Sequence, residues 1–174
     1  MFSMFYPSTY ERSAYSIDYG DLYARGYRGL IFDIDNTLVP HDAPATASAA
    51  LLVRRLKRKG FKVEIVSNNK EPRVKSFALG VGAGYVYKAG KPGSRGYLKA
   101  AEKMGLKREA VMVIGDQLFT DIWGANISRM HSILVGRISW KEPPHIHLKR
   151  ILELPLLIGY FATHKAERKK LWRR

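Results

Sequence analysis

The chain has 174 residues, 46% of them apolar, enough to bury the core of one domain. It has no cysteine, which excludes disulfides, thiolate zinc sites and cysteine nucleophiles and suits a cytosolic protein. Thirty Lys and Arg against 15 Asp and Glu leave a net charge of +15, clustered rather than spread. Such a balance points to a polyanionic partner: a phosphorylated substrate, an anionic membrane or nucleic acid.

Residues 1–28 carry Tyr6, Tyr10, Tyr15, Tyr19, Tyr23 and Tyr27, mostly four apart as on one helical face. Pro7, Gly20 and Gly26 interrupt any single helix. We expect an arm that packs its aromatic edge on the core, with an aromatic surface touching lipid as the alternative. Met1 to Tyr10 is too short and polar for a secretory signal.

Gly29-Leu30-Ile31-Phe32 reads as a buried strand, and it runs straight into Asp33-Ile34-Asp35-Asn36-Thr37. Thr46 to Lys59 reads as a helix with an apolar face of Ala49, Ala50, Val53 and Leu56 and a stop at Gly60. Its cluster Arg54, Arg55, Lys57, Arg58 and Lys59 reads as a solvated face that could also meet lipid or RNA. Lys62 to Ser67 is a second strand, Pro72 to Leu79 a helix with Pro in its first turn, and Ala83 to Ala89 a third strand. Ser94 to Met104 reads as a helix capped by Ser94 and ended by Gly105. Ala110 to Ile114 is a strand apolar on both faces, Leu118 to Ile127 a helix, and Ser132 to Val135 a fifth strand. Strand and helix alternate, which predicts a three-layer α/β fold: a five-stranded parallel sheet covered on both faces. We divide the chain into an arm (1–28), a catalytic domain (29–140) and a basic, apolar tail (141–174).

In such sheets ligands bind beyond the carboxyl ends of the strands. Asp33, Asp35 and Thr37 follow the first strand, Ser67-Asn68-Asn69 the second, Lys91 the third, and Asp116 the fourth, with Asp121 five residues on. Two neighbouring carboxylates repel unless a cation sits between them, which suits a Mg²⁺-dependent phosphoryl-transfer site. Lys91 supplies a point charge, Ser67 a hydroxyl, and Asp35 can move protons while a neighbouring carboxylate attacks phosphorus.

The order Asp-x-Asp-x-Thr, Ser-Asn-Asn, Lys-Pro, Gly-Asp-x-x-x-x-Asp resembles the haloacid-dehalogenase-like (HAD) phosphatase superfamily over about residues 29–138. The resemblance implies Asp33 as nucleophile, Asp35 as acid/base, and Thr37, Ser67, Asn68 and Lys91 beside the phosphate. It implies Mg²⁺ held by the Asp33 side chain, the Asp35 carbonyl and Asp116, with Asp121 in support. Thr37 to Ser67 and Ser67 to Lys91 each leave room for one helix and one strand, so no large cap domain is inserted at either point. An open site admits bulky substrates. Ile114 to Asn126, Asp33 to Val39 and Tyr15 to Tyr19 resemble the lidless class IIIA, YqeG-type phosphatases. Relatives of that family dephosphorylate phosphatidylglycerophosphate, which implies a peripheral enzyme at the cytoplasmic membrane face in phospholipid biosynthesis. The alternatives are a soluble phosphatase for a sugar phosphate or nucleotide, and a non-enzymatic RNA- or ribosome-binding module on the same scaffold.

Lys141 to Arg174 holds nine Lys and Arg against three Glu, interleaved with Leu148, Ile151, Leu152, Leu156, Leu157 and Phe161. This segment reads either as a helix docked on the core or as one lying on anionic lipid. Lys165 to Arg174 adds Trp172 among six basic residues. The apolar run Leu154 to Phe161 holds Pro155 and Gly159 and is far short of the roughly 20 residues of a membrane span. His145 and His147 read as loop residues, and His41 as a surface residue near the first acidic motif.

Overall fold

The computed structural model describes residues 3–167. Twelve regular elements follow one another: β1 (Thr9–Glu11), α1 (Tyr19–Ala24), β2 (Gly29–Phe32), α2 (Ala47–Arg58), β3 (Lys62–Val66), α3 (Glu71–Val81), β4 (Gly84–Val86), α4 (Arg95–Met104), β5 (Val111–Gly115), α5 (Trp123–Ile127), β6 (His131–Val135) and α6 (Pro144–Thr163). The strands form one parallel sheet in the order β1-β6-β5-β2-β3-β4.

Alternation along the central strands sorts their side chains between two layers. Leu30 and Phe32 of β2, Val63 and Ile65 of β3, and Met112 and Ile114 of β5 face one core with Leu22, Val53, Leu56, Val74 and Phe77. Ile31, Val66, Val111 and Val113 face the opposite core with Tyr97, Ala100, Ala101 and Met104. Apolar strands buried on both faces are what a parallel sheet with helices on either side requires. A single helix separates β2 from β3, and another separates β3 from β4, so no large cap domain interrupts the described residues.

The sheet has six strands where the sequence predicts five. The extra strand, β1, comes from the tyrosine-rich segment and pairs Thr9, Tyr10 and Glu11 with Ile133, Leu134 and Val135. Three residues of mixed polarity on a sheet edge give no periodic signal, so only pairing with β6 reveals the strand. Tyr19 and Tyr27 of the same segment are buried in the main core.

Thr46 caps α2 by accepting from the Ala49 amide at 3.2 Å. Ser94 precedes α4 but makes no capping bond; its own backbone is already helical, whereas a capping hydroxyl needs an extended backbone to meet the free amides ahead of it. Gly105 does end α4, in the left-handed conformation at φ 62°. The tail reading resolves into α6, docked through Ile146, Glu153 and Tyr160. His145 and His147 lie in its first turns rather than in a loop, because Pro143-Pro144 starts the helix. The basic end from Arg168, including Trp172, lies outside the described residues.

Candidate active site

The strand order reverses between β2 and β5, and the residues singled out in sequence gather at the carboxyl ends there. The backbone N–H of Asp33 donates to the Ile114 carbonyl at 3.0 Å, so the ladder of β2 and β5 continues one residue past β2. It leaves Asp33 and Asp116 at adjacent strand ends. Asp121 returns from a single π-helical turn (Leu118–Ile122) to accept from the Gln117 amide at 3.2 Å. That return passes so close to β5 that a Cβ on Gly115 would overlap the Asp121 side chain, so the position needs glycine.

Asp33, Asp116 and Asp121 each bring a carboxylate oxygen within 4.8 Å of the others. Lys91 Nζ stands between two of them, donating to Asp33 Oδ1 at 2.5 Å and to Asp121 Oδ1 at 2.7 Å, with its side chain buried. Two anchors hold Lys91 there. The Ala89 N–H donates to the Ser67 carbonyl, and the Asn68 side chain brackets the Lys91 backbone, accepting from its N–H at 2.8 Å and donating to its carbonyl at 3.1 Å. Ser67 Oγ accepts from the Asn69 amide at 3.2 Å. The Lys91-Pro92 peptide is cis.

The electrostatics follow from crowding. Burial, with Asp121 and Asp116 nearby, raises Asp33 to about 8 against the pull of Lys91. Burial also raises Asp116 to about 7, although Arg150 pulls the other way. Burial alone would lower Lys91, but Asp121 and Asp33 hold it well above its ordinary value. Three carboxylates that bring their oxygens within 4.8 Å of one another suit a hard divalent cation that takes oxygen ligands.

Asp35 lies outside this trio. Its carboxylate accepts from Asn69 Nδ2 at 2.8 Å, Arg73 Nη2 at 3.1 Å and the Asp42 N–H at 2.9 Å. Thr37 is buried and donates through Oγ1 to Asp116 Oδ1 at 3.1 Å. One cleft is lined by Asp33, Asp35, Ser67, Asn68, Lys91 and His41 together with His145, Ile146 and Lys149 of α6.

Four residues of the site escape sequence reasoning: Arg150, Glu142, Asn36 and Arg73. Arg150 of α6 donates to the Asp116 carbonyl at 2.6 Å through Nη1 and closely to Asp116 Oδ2 through Nη2. Arg150 Nη2 also donates to Glu142 Oε1 at 2.8 Å. Asn36, buried at φ 60°, donates to Glu142 at 2.7 Å and accepts from the Ser139 N–H at 2.9 Å. Arg73 grips Asp35 from α3. One signal was available for Arg150: Ile146, Arg150, Glu153, Leu157 and Tyr160 recur at helical spacing, so an Arg and a Glu share the docked stripe. Buried charges on such a stripe demand partners in the body of the protein.

Residues 41–127 match the haloacid dehalogenase-like hydrolases, a family of hydrolases. The chain is 42% identical over 132 residues to "Probable phosphatase YqeG" of Bacillus subtilis (strain 168), covering 75% of this chain and 77% of that protein. Its fold resembles that of an uncharacterized protein from Listeria monocytogenes serotype 4b, with a TM-score of 0.53, 17% identity, and coverage of 67% of this chain and 85% of that one. A hypothetical protein from Xanthomonas campestris matches with a TM-score of 0.52 at 17% identity, covering 76% of each chain.

Proposed function

The chain belongs to the haloacid dehalogenase-like hydrolases, and from that premise we propose that it is a Mg²⁺-dependent phosphomonoesterase that works through an aspartyl-phosphate. The observation that carries this reading is the junction of Asp33, Asp116 and Asp121 around Lys91 at adjacent strand ends. Asp33 is the nucleophile: its carboxylate oxygen forms a bond to phosphorus as the bond from phosphorus to the leaving oxygen breaks. Asp35 protonates that oxygen, and Asn69, Arg73 and the Asp42 amide fix its orientation. Asp35 then takes a proton from water, whose oxygen attacks phosphorus, releases phosphate and regenerates Asp33.

Lys91, Thr37, Ser67 and Asn68 form the phosphate cradle. Lys91 supplies charge, the Ser67 hydroxyl supplies a donor, the Thr37 hydroxyl can supply another by turning from Asp116, and Asn68 positions Lys91 through its backbone. The Asp33 side chain, the Asp35 carbonyl and Asp116 would hold Mg²⁺, with Asp121 in support. When bound, the ion offsets the charge of the phosphate dianion beside the carboxylates.

The favoured substrate is phosphatidylglycerophosphate, dephosphorylated by a peripheral enzyme at the cytoplasmic membrane face. The net charge of +15 and the uncapped cleft support it, since a lipid head group presented at a surface needs an open site. Phosphate release from phosphatidylglycerophosphate in mixed vesicles, beside a panel of soluble sugar phosphates and nucleotides, tests this reading. Faster turnover of a soluble ester would assign the enzyme to soluble substrates. Failure to hydrolyse any phosphomonoester with Mg²⁺ would leave the nucleic-acid-binding scaffold as the better account.

A further inference from the structure

Helix α6 has two unlike faces. Its inner stripe seats Ile146, Glu153 and Tyr160 in the protein and delivers Arg150 to Asp116. Its outer side carries Leu148, Ile151, Leu152, Leu154 and Ile158, which are between 52 and 69% exposed. Single exposed aliphatics are ordinary on a protein surface, but five on consecutive turns of one helix form a patch that calls for a partner. Trp140, just before the helix, is 72% exposed.

Charge around the patch is segregated. The acidic residues of this region point inward: Glu142 and Glu153 face Arg150, and Glu167 binds Thr9 and the Tyr10 amide. Lys141 and Lys149 are exposed at the start of the helix and Lys165 just beyond its end. An apolar strip bordered by cations and free of outward carboxylates matches the interface of an anionic bilayer, where aliphatic side chains enter the acyl boundary and lysines meet head groups. A second copy of a chain with net charge +15 would meet the strip with electrostatic repulsion. No helix among the described residues is long and apolar enough to cross a membrane, so α6 would lie along the surface.

With the cleft read as a phosphatase site, we propose that the outward face of α6 docks on an anionic lipid bilayer and sets the mouth of the cleft among the head groups. His145, Ile146 and Lys149 of the first α6 turns line the same cleft as Asp33 and Lys91. Exposed Lys149, next in the chain to the outward Leu148, therefore joins the face that meets lipid to the wall of the site.

Co-sedimentation of the full chain with vesicles tests the surface independently of turnover. Wild-type protein is expected to pellet with phosphatidylcholine mixed with phosphatidylglycerol and to stay in solution with phosphatidylcholine alone. The double variant Ile151→Gln/Ile158→Gln, with its melting transition retained, is expected to lose affinity by about tenfold or more. Should that variant fail to fold, Leu148→Gln gives the same readout with a smaller loss. Absence of vesicle binding by the wild type, or undiminished binding by the folded variant, overturns the proposal. So does a dimer in sedimentation equilibrium that the double variant dissolves, which would assign the face to a second copy. An aryl phosphate in solution keeps the two readings apart. Binding without turnover of that ester sinks the phosphatase reading and leaves the docking face, and turnover without binding does the reverse.

Discussion

Asp33 and Asp116 sit at adjacent strand ends and share Asp121 as a neighbour, yet their counter-charges come from different places. Lys91, on the loop after β4, lies against Asp33 through an anchor that Asn68 makes within the same rim of loops. Arg150, from the last helix, lies against Asp116 and reaches it across 34 residues of sequence. One half of the site is thus balanced by the sheet's own rim and the other by a helix that must dock first. Burial raises both carboxylates, so in each half a cation decides whether the charged form is tolerable.

The sharpest test of the rim half is Asp33→Asn. It removes the attacking oxygen with little change of shape, and kcat for an aryl phosphate is expected to fall by about 10³-fold or more. Lys91→Met leaves Asp33 and Asp121 facing each other without a cation, and a loss of about 10²-fold in kcat/KM is expected.

Arg150→Met probes the other half. It strands Asp116 and Glu142 in a buried setting, and chemical denaturation is expected to show a loss on the order of 3 kcal/mol. The same variant should change the Mg²⁺ concentration needed for half-maximal turnover, because Arg150 holds an Asp116 oxygen. Equal Mg²⁺ dependence in variant and wild type would separate α6 from the metal carboxylate.

The two halves should also respond together to pH. Asp33 and Asp116 rise from 3.8 to about 8 and about 7 on folding without metal. Above pH 4 the unfolded chain has released protons that the folded one still holds. The stability these two groups lend is therefore complete below about pH 4 and is lost as pH climbs to about 8. Melting temperatures in chelator are expected to drop across pH 5 to 8, and Mg²⁺ is expected to restore them most at the upper end. A flat profile in chelator would mean that Lys91 and Arg150 already neutralise both acids.

The smallest effect expected is from Glu153→Gln. Its amide oxygen can still accept from the Phe119 N–H, so the change falls on the 3.8 Å ion pair with Arg150 and the bond from the Leu118 backbone. A change of about 0.5–1 kcal/mol in denaturation is anticipated.

The rim was legible because polar residues stand directly after apolar runs: Asp33 after Phe32, Ser67 after Val66, and Asp116 after Gly115. A strand that ends in polar groups must end where those groups find partners, at the rim of the sheet, so local pattern suffices. The edge strand β1 was not legible, since its pairing partner supplies what its own residues lack. Nor was Ser94 a cap, because capping depends on a backbone angle that residue type only biases. Arg73, Asn36 and Glu142 were invisible for another reason. Asn36 and Glu142 meet across 106 residues, and nothing in either neighbourhood selects the other.

The sequence by itself determined the parallel sheet, its two buried faces and the acids and lysine at its rim, because periodicity and strand ends are local properties of the chain. Only the tertiary structure decided that α6 turns Arg150 inward to Asp116 and its aliphatic side outward. Both sides of that helix are apolar enough to be buried. The choice fell to the partners already waiting in the body of the protein: Asp116 and Glu142 for the guanidinium, and the Phe119 amide for Glu153.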